Sequence, residues 1–378
     1  MEGLGVTRSA FNDCFDQCYR GRRALITGHT GFKGSWLALW LQELGAEVYG
    51  LALPAETKPN HALLLGLTGG LAGETLVDLR DAEATRRALV GFAPEIVFHL
   101  AAQSLVRHSY REPAATFGVN LMGLVNMLEA VRATPSVRAV LVATSDKCYE
   151  NQATGQAFRE QDALGGSDPY SASKACAEII AASYRASFFS ADDGRGHPVG
   201  LATARAGNVI GGGDWAAERL LPDLVRAALA GRPTLIRQPH SVRPWQHVLE
   251  PLAGYLQVGQ GLLAGAAEFA EAWNFGPDAA GHLSVGELVE RCAQIWPEVR
   301  REQSSGPIDP MHEAALLRLD CSKAKQRLAW RSVWDCDTLL RRSLAWYRAQ
   351  AENGVLNSHA DLQQYHQDAL ALGVPWAG

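Results

Sequence analysis

The chain has 378 residues, of which 20% are charged and 47% hydrophobic, and a formal net charge of −5. That length can bury a large core in one big domain or two, and so mild a charge gives no reason to expect nucleic acid or an anionic membrane as partner. Seven cysteines at irregular spacing, with no C-x-x-C, argue for free or structural thiols in a reducing compartment and against zinc or a disulfide framework.

Residues 1 to 22 show no clear period and read as an arm leading into the domain. They carry Arg8, Asp13 and Asp16 and no long apolar run, which argues against a signal peptide. No later segment reads as the run of about 20 apolar residues that a membrane span needs. Cytoplasm is therefore the expected location.

Arg23 to Thr27 reads as a short buried strand running into Gly28-His29-Thr30-Gly31-Phe32-Lys33-Gly34. Trp36, Leu37, Leu39, Trp40, Leu41 and Leu44 then recur at helical spacing up to Gly45, a helix stop. Glycines at 28, 31 and 34 between a strand and a helix allow a tight turn and a close backbone approach to a pyrophosphate, which the helix amino terminus also attracts. A merely structural turn is the other reading. Glu47 to Leu53 predicts a second strand, where an acidic residue at the end would hold an adenosine ribose. None stands there, and no Arg for a 2′-phosphate either, so this position leaves NAD and NADP open.

Glu74 to Leu79 predicts a third strand containing Asp78, and Asp81 to Phe92 a helix. Ile96 to Leu100 is a fourth strand, running into Ala101-Ala102-Gln103, where small residues let a cofactor pass close to the backbone. Pro113 to Arg132 reads as one helix with Asn120 and Asn126 in an otherwise apolar pattern; Asn120 also reads as a satisfied polar residue between helices. Ala139 to Ala143 is the fifth strand, followed at once by Thr144-Ser145-Asp146-Lys147. Beyond the carboxyl end of a parallel strand, such side chains project into the ligand crevice.

Asp168-Pro169-Tyr170 opens a further helix in which Tyr170 and Lys174, four apart, share a face. An ammonium beside a phenol favours phenolate, and a phenolate can take the proton of an alcohol being oxidised. Val199 to Arg205 is the sixth strand. Repeated strand then helix predicts a doubly wound, Rossmann-type parallel α/β sheet.

After Arg205 the pattern changes. Gly207-Asn208 and Gly211-Gly212-Gly213 mark an irregular loop, Leu220 to Ala230 a helix, and Thr234 to Arg237 a short strand. Arg243 to Val248 is a polar and aromatic cluster that reads either as a surface turn or as a hold on a charged, ring-bearing substrate. Ala272 to Phe275 returns to the sheet. Helices near 284 to 295, 322 to 329 and 336 to 351 predict a smaller, mostly helical carboxyl-terminal lobe. The expected division is 1–205, with about 243–276 returning, for the dinucleotide, and 206–242 with 277–378 for the substrate.

Ser145 and Tyr170 could both bond one substrate hydroxyl, with Tyr170 as base and Lys174 both tuning it and touching the nicotinamide ribose. Asp146 and Lys147 add an acid beside a base, a pair suited to elimination of water. Lys147 can be that base only when unprotonated, and Asp146 the acid only when desolvation keeps its proton. A surface salt bridge between the two is the competing reading.

The runs TGHTGFKGSWL (27–37), HLAAQSLVR (99–107), TSDKCYEN (144–151), GGSDPYSASKACAE (165–178), ARAGNVIGGGDW (204–215) and RPWQHVLEPL (243–252) resemble the extended short-chain dehydrogenase/reductases. Within them the chain is similar to the nucleotide-sugar 4,6-dehydratases, and Lys33, Lys147 and the RPWQHV run resemble the branch acting on CDP-glucose. The resemblance implies NAD, reduced and reoxidised within one turnover and met by Gly28, His29, Thr30, Gly31, Phe32, Lys33, Gly34, Asp78, Leu79, Leu100, Ala101, Ala102, Gln103, Tyr170 and Lys174. It implies Ser145, Asp146, Lys147, Tyr170 and Lys174 as catalytic residues, no metal, and substrate contacts from Gln103, Asn120, Arg205, Asn208 and Arg243. It also implies pairing through the helices of Asn120 and Tyr170 into a homodimer or homotetramer. The alternatives are a dTDP-glucose or GDP-mannose dehydratase, a 4-epimerase, or a noncatalytic NAD-binding regulator.

Overall fold

The strand, glycine turn and helix expected at the start of the domain are all present in the computed structural model, which describes residues 11–151, 155–190, 198–303 and 317–378. The first ten residues of the expected arm and residues 304–316 of the expected lobe lie outside the described residues. β1 (Arg23–Thr27) leads into α1 (Phe32–Glu43), β2 (Glu47–Ala52) and the single turn α2 (His61–Leu64). β3 (Gly73–Leu76), α3 (Ala82–Phe92) and β4 (Ile96–His99) follow, then α4 (Val106–Arg111), α5 (Pro113–Phe117), α6 (Gly123–Arg132), β5 (Ala139–Ala143), α7 (Pro169–Phe188) and β6 (Gly200–Ala206).

Beyond β6 the chain leaves the sheet through β7 (Val209–Ile210), α8 (Leu220–Leu229), β8 (Thr234–Ile236), β9 (Val242–Pro244) and β10 (Gln246–His247). It comes back along α9 (Leu249–Leu263) to β11 (Ala272–Phe275). β12 (His282–Ser284), α10 (Val285–Ile295), β13 (Arg301–Gln303), α11 (Ser322–Arg327), α12 (Cys336–Asn353) and α13 (Ser358–Ala371) complete it. The main sheet has seven parallel strands in the order β11-β6-β5-β4-β1-β2-β3. The order reverses between β1 and β4, and ligands of open parallel sheets sit in the crevice at such a switch point.

Three expected elements differ, each for a physical reason. The third strand stops at Leu76 because β2, its one neighbour, ends at Ala52, the residue paired with Leu76. Asp78 is thereby left in the turn beyond the strand. The run Pro113–Arg132 is two helices joined by a π-helical turn, Gly118–Met122, which carries Asn120 into the interior. By length and composition alone this run could cross a membrane, contrary to expectation. Asn120 and the contacts with α3 and α7 instead make it a layer of the fold.

The carboxyl-terminal residues also divide differently from the expected lobe. Trp330, Trp334, Tyr365 and Trp376 join the core formed by α1, α9 and the sheet, whereas Leu339 to Tyr347 pack with α8 and α10 in a separate core. Large aromatic rings cover the outer faces of α1 and α9, so 317–334 and 362–377 belong with the sheet. Phe15 stacks on Trp376 at 5.1 Å, and Trp376 also meets Trp40 of α1, so residues from the first and last described segments meet over that helix.

Glu250, the second residue of α9, holds much of this covering in place. Wholly buried, it accepts hydrogen bonds from the Val333 and Trp334 amides at 3.0 and 2.8 Å and from the Tyr365 hydroxyl at 2.9 Å. Burial pushes its carboxyl up to about 7, above the roughly 4.3 of an unfolded chain. A carboxyl raised on folding contributes stability that is full below its unfolded value and is lost as pH rises through its folded one. Glu250→Gln should therefore flatten the decline in urea midpoint between about pH 4.3 and pH 7. A decline as steep as that of the unsubstituted chain would show that another group is responsible.

Candidate active site

The glycine turn is shaped by contacts that leave no room for side chains. Gly28 has φ +78°, and a Cβ there would stand 2.8 Å from the Ala101 amide nitrogen. A Cβ on Gly34 would overlap the Gly28 carbonyl. Thr30 donates to the Leu53 carbonyl at 3.0 Å, and Asn60 to the Thr30 carbonyl at 3.0 Å, pinning the loop after β2 against the turn. The result is a bare backbone cradle at the amino terminus of α1, the form a pyrophosphate requires.

From this cradle a cleft of about 780 Å³ runs along the carboxyl ends of the strands into the space under α8 and β8. Gly28, Thr30, Gly31, Phe32, Lys33 and Gly34 line it at one end, with Asp78, Leu79 and Arg80 beyond β3 and Leu100 to Gln103 beyond β4. Asp78 is bound by Arg80, which holds its carboxyl below the usual range. Ser145, Asp146, Lys147, Tyr170 and Lys174 line the middle, and Asn208 and Arg243 the part nearer the lobe.

The side chains expected to react are positioned by local structure. Asp168 caps α7, accepting from the Ser171 amide at 2.9 Å, and Pro169 fills the first turn. Tyr170 and Lys174 therefore share one buried face. Ser145 caps the short turn Asp146–Cys148, accepting from the Lys147 amide at 3.2 Å and donating to Asp146 Oδ1 at 3.0 Å. Asp146 Oδ2 is buried with no hydrogen-bond partner among the described residues, and burial raises its carboxyl. That carboxyl can keep a proton and give it up, as an acid for a departing hydroxyl must.

Lys174 donates to the Ala143 carbonyl at 3.2 Å and lies 6.0 Å from the Tyr170 ring centre. The expected effect on the phenol is not produced by these two side chains alone. Burial pushes Tyr170 up to about 12, with its hydrogen bond to Ser145 the main opposing influence. Lys33 extends past the cradle to the Tyr255 hydroxyl at 3.4 Å, and burial followed by Lys174 and Arg219 lowers it to about 7. Its amine thus stands in the same cleft, close enough to Lys174, Arg219 and Asp146 to feel their charges.

Four expected ligand contacts are placed otherwise. His29 is buried beneath the turn with its ring against Gly50 and Nε2 2.6 Å from Glu74, away from the cleft lining. Asn120 is spent internally, accepting from the Gln103 amide at 2.8 Å and donating to the Gln103 carbonyl at 3.0 Å and Ser173 at 2.8 Å. The Gln103 side chain bonds Leu105 and Thr116, so it shapes the turn while its residue lines the cleft. Arg205 is 3% exposed and bonded within the core.

Arg219 is among the residues lining the cleft that were not singled out from the sequence. Arg219 is held 3.0 Å from Asp214 and 2.9 Å from Ser104, between the lobe and the loop after β4. Its signal was the Asp214-Trp215 run just before α8, whose irregular backbone conceals which later side chain turns inward.

A glycine cradle at the switch point, with a serine at a strand end and a Tyr-x-x-x-Lys helix in the same cleft, defines the extended short-chain dehydrogenase/reductase class. Residues 25–343 match the family model described as GDP-mannose 4,6 dehydratase, and the chain belongs to that family. It is 45% identical over 349 residues to the CDP-glucose 4,6-dehydratase of Salmonella typhimurium, covering 92% of this chain and 97% of the relative. Among solved structures it is similar to a UDP-glucose 4-epimerase of Thermus thermophilus in complex with NAD, with a TM-score of 0.72, 26% identity, and 86% and 99% of the two chains covered. It is also similar in fold to a dTDP-glucose 4,6-dehydratase of Streptomyces venezuelae, with a TM-score of 0.72, 24% identity, and 88% and 98% covered.

Proposed function

We propose that the chain is a CDP-glucose 4,6-dehydratase, converting CDP-D-glucose to CDP-4-keto-6-deoxy-D-glucose and water. The observation carrying this reading is that Asp146 and Lys147 line the same cleft as Ser145, Tyr170 and Lys174. An epimerase has no use for that additional acid and base. The similarity to the Salmonella typhimurium enzyme supports the CDP-linked substrate.

The cradle of Gly28, Thr30, Gly31, Phe32 and Gly34 fits the pyrophosphate of NAD, with Asp78, Leu79 and Leu100 to Gln103 along the rest of it. A bound NAD would supply the acceptor and later the donor of one electron pair, and its nicotinamide cation would favour the Tyr170 phenolate. Tyr170 takes the proton of the C4 hydroxyl while Ser145 bonds the same oxygen. With a ketone at C4 the proton on C5 becomes acidic, and Lys147 removes it. Asp146 gives its proton to the C6 hydroxyl, which departs as water. Lys147 then returns a proton to C5 as C6 is reduced, so substrate and product differ by one water. Asn208, Arg219 and Arg243, which line the cleft, would meet the diphosphate and sugar.

Exposed Met122 and Ile179, on adjoining helical faces, support pairing of two copies through the Pro113–Arg132 and α7 layer. Cytoplasm remains the proposed location.

Turnover on CDP-, dTDP- and UDP-glucose and on GDP-mannose tests the assignment. The CDP sugar is expected to lead in kcat/KM by at least about tenfold, a difference of roughly 1.4 kcal/mol in transition-state binding. A higher value on any other nucleotide would transfer the assignment to that sugar.

A further inference from the structure

Arg205, expected at the substrate phosphates, points instead to groups behind the cleft. Its Nη2 is 2.9 Å from Glu178 Oε2, and its Nη1 donates to the Tyr149 hydroxyl at 2.8 Å and the Glu160 carbonyl at 3.0 Å. Glu178 also accepts from the hydroxyls of Thr144 at 2.5 Å and Thr203 at 2.7 Å. Both members of the ion pair are buried.

Two of these contacts lead to the reacting groups. Thr144 immediately precedes Ser145 and Asp146, so its bond to Glu178 fixes the end of β5 from which they project. Along α7, Glu178 stands one turn beyond Lys174 on the same buried face.

We propose that Glu178, locked by Arg205, is a positioning residue for proton transfer: it sustains the charge on Lys174 and holds the strand end that presents Ser145 and Asp146. The proposal rests on the dehydratase reading of the cleft and adds to it a layer that touches no substrate.

Burial drives the Lys174 ammonium down to about 8, and Glu178 is the principal influence opposing the fall. The other titratable groups facing Lys174 are Tyr170 on its own helix, Cys148 after β5, His99 at the end of β4 and Lys33 on α1. Burial keeps Tyr170 and Cys148 in their neutral forms near neutrality, and His99 and Lys33 carry no negative charge. Among these groups Glu178 supplies the opposite charge. From one turn below, it does so without drawing the ammonium out of the cleft.

Glu178→Gln combined with Arg205→Met removes both charges of the pair, leaving neither buried alone. In the holoenzyme the alkaline limb of the pH profile of kcat/KM for CDP-glucose is expected to move down by about one unit. Lys33 is common to both proteins, so the difference between their profiles isolates the loss of Glu178. Thermal melting over the same range separates unfolding from the shift. An unmoved limb, whatever the rate or melting temperature, overturns the proposal and leaves the pair structural. Should the double variant fail to fold, Thr144→Val decides: it cuts the tie to β5 while keeping the charges. A fall in kcat of roughly ten- to hundredfold supports the proposal, and an unchanged kcat overturns it. Absence of turnover in the unsubstituted protein would instead count against the dehydratase reading itself.

Discussion

Replacing Lys147 by Met is expected to stop the loss of water while leaving oxidation at C4 intact. Met matches the unbranched apolar stem of the side chain and lacks the terminal amine, so the turn Asp146–Cys148 and its Ser145 cap should persist. Removing a general base lowers turnover by about 10²–10⁴-fold. In a single turnover the absorbance of reduced nicotinamide should rise with the first equivalent of substrate and then remain, because the ketone has formed but the double bond that accepts the returning electron pair has not. Normal turnover by this variant would mean that another group, such as the Lys33 amine in the same cleft, removes the C5 proton.

Tyr170→Phe should halt the reaction one step earlier. The ring keeps its buried place at the start of α7, and the loss is confined to the oxygen that meets Ser145 and the C4 hydroxyl. Turnover should fall by a similar factor of about 10²–10⁴, with no reduced nicotinamide formed. Contrast between the two variants separates their roles: one should accumulate the oxidised sugar, the other should leave the substrate untouched. Reduced nicotinamide appearing at the unsubstituted rate in Tyr170→Phe would remove Tyr170 from the proton path and leave Ser145 or Lys174 to supply the base.

Elements whose signal is local were readable from the chain. A strand, three glycines and an apolar helix stand in one short stretch, and the alternation of strand and helix up to Ala206 fixes a parallel sheet by itself. Tyr170 and Lys174 follow from helical spacing, and Ser145 to Lys147 from their place just past a strand. By contrast α9 was not expected, because nearly every residue in it is buried and it has no polar face to show a period. Asn120 turns inward through a π-helical turn that composition does not announce.

Arg205 and His29 show why the site was less legible than the fold. Both belong to motif runs that border the cleft, and sequence places them within a residue or two of true lining positions. Which way each side chain turns depends on distant partners, Glu178 and Tyr149 for the one and Glu74 for the other. The same dependence hid Arg219, whose inward direction is set by Asp214 and Ser104. Motif membership gave the neighbourhood, and buried polar pairing decided the role.

In the dehydratase reading, oxidation, water loss and reduction occur on one sugar without release, within the cleft that Tyr170, Asp146 and Lys147 share. Turnover of CDP-glucose carrying deuterium at C4 tests this. The label should be found at C6 of the 6-deoxy-4-keto product, with no net reduced nicotinamide in solution. Label washed into solvent, or reduced nicotinamide accumulating in proportion to product, would contradict it.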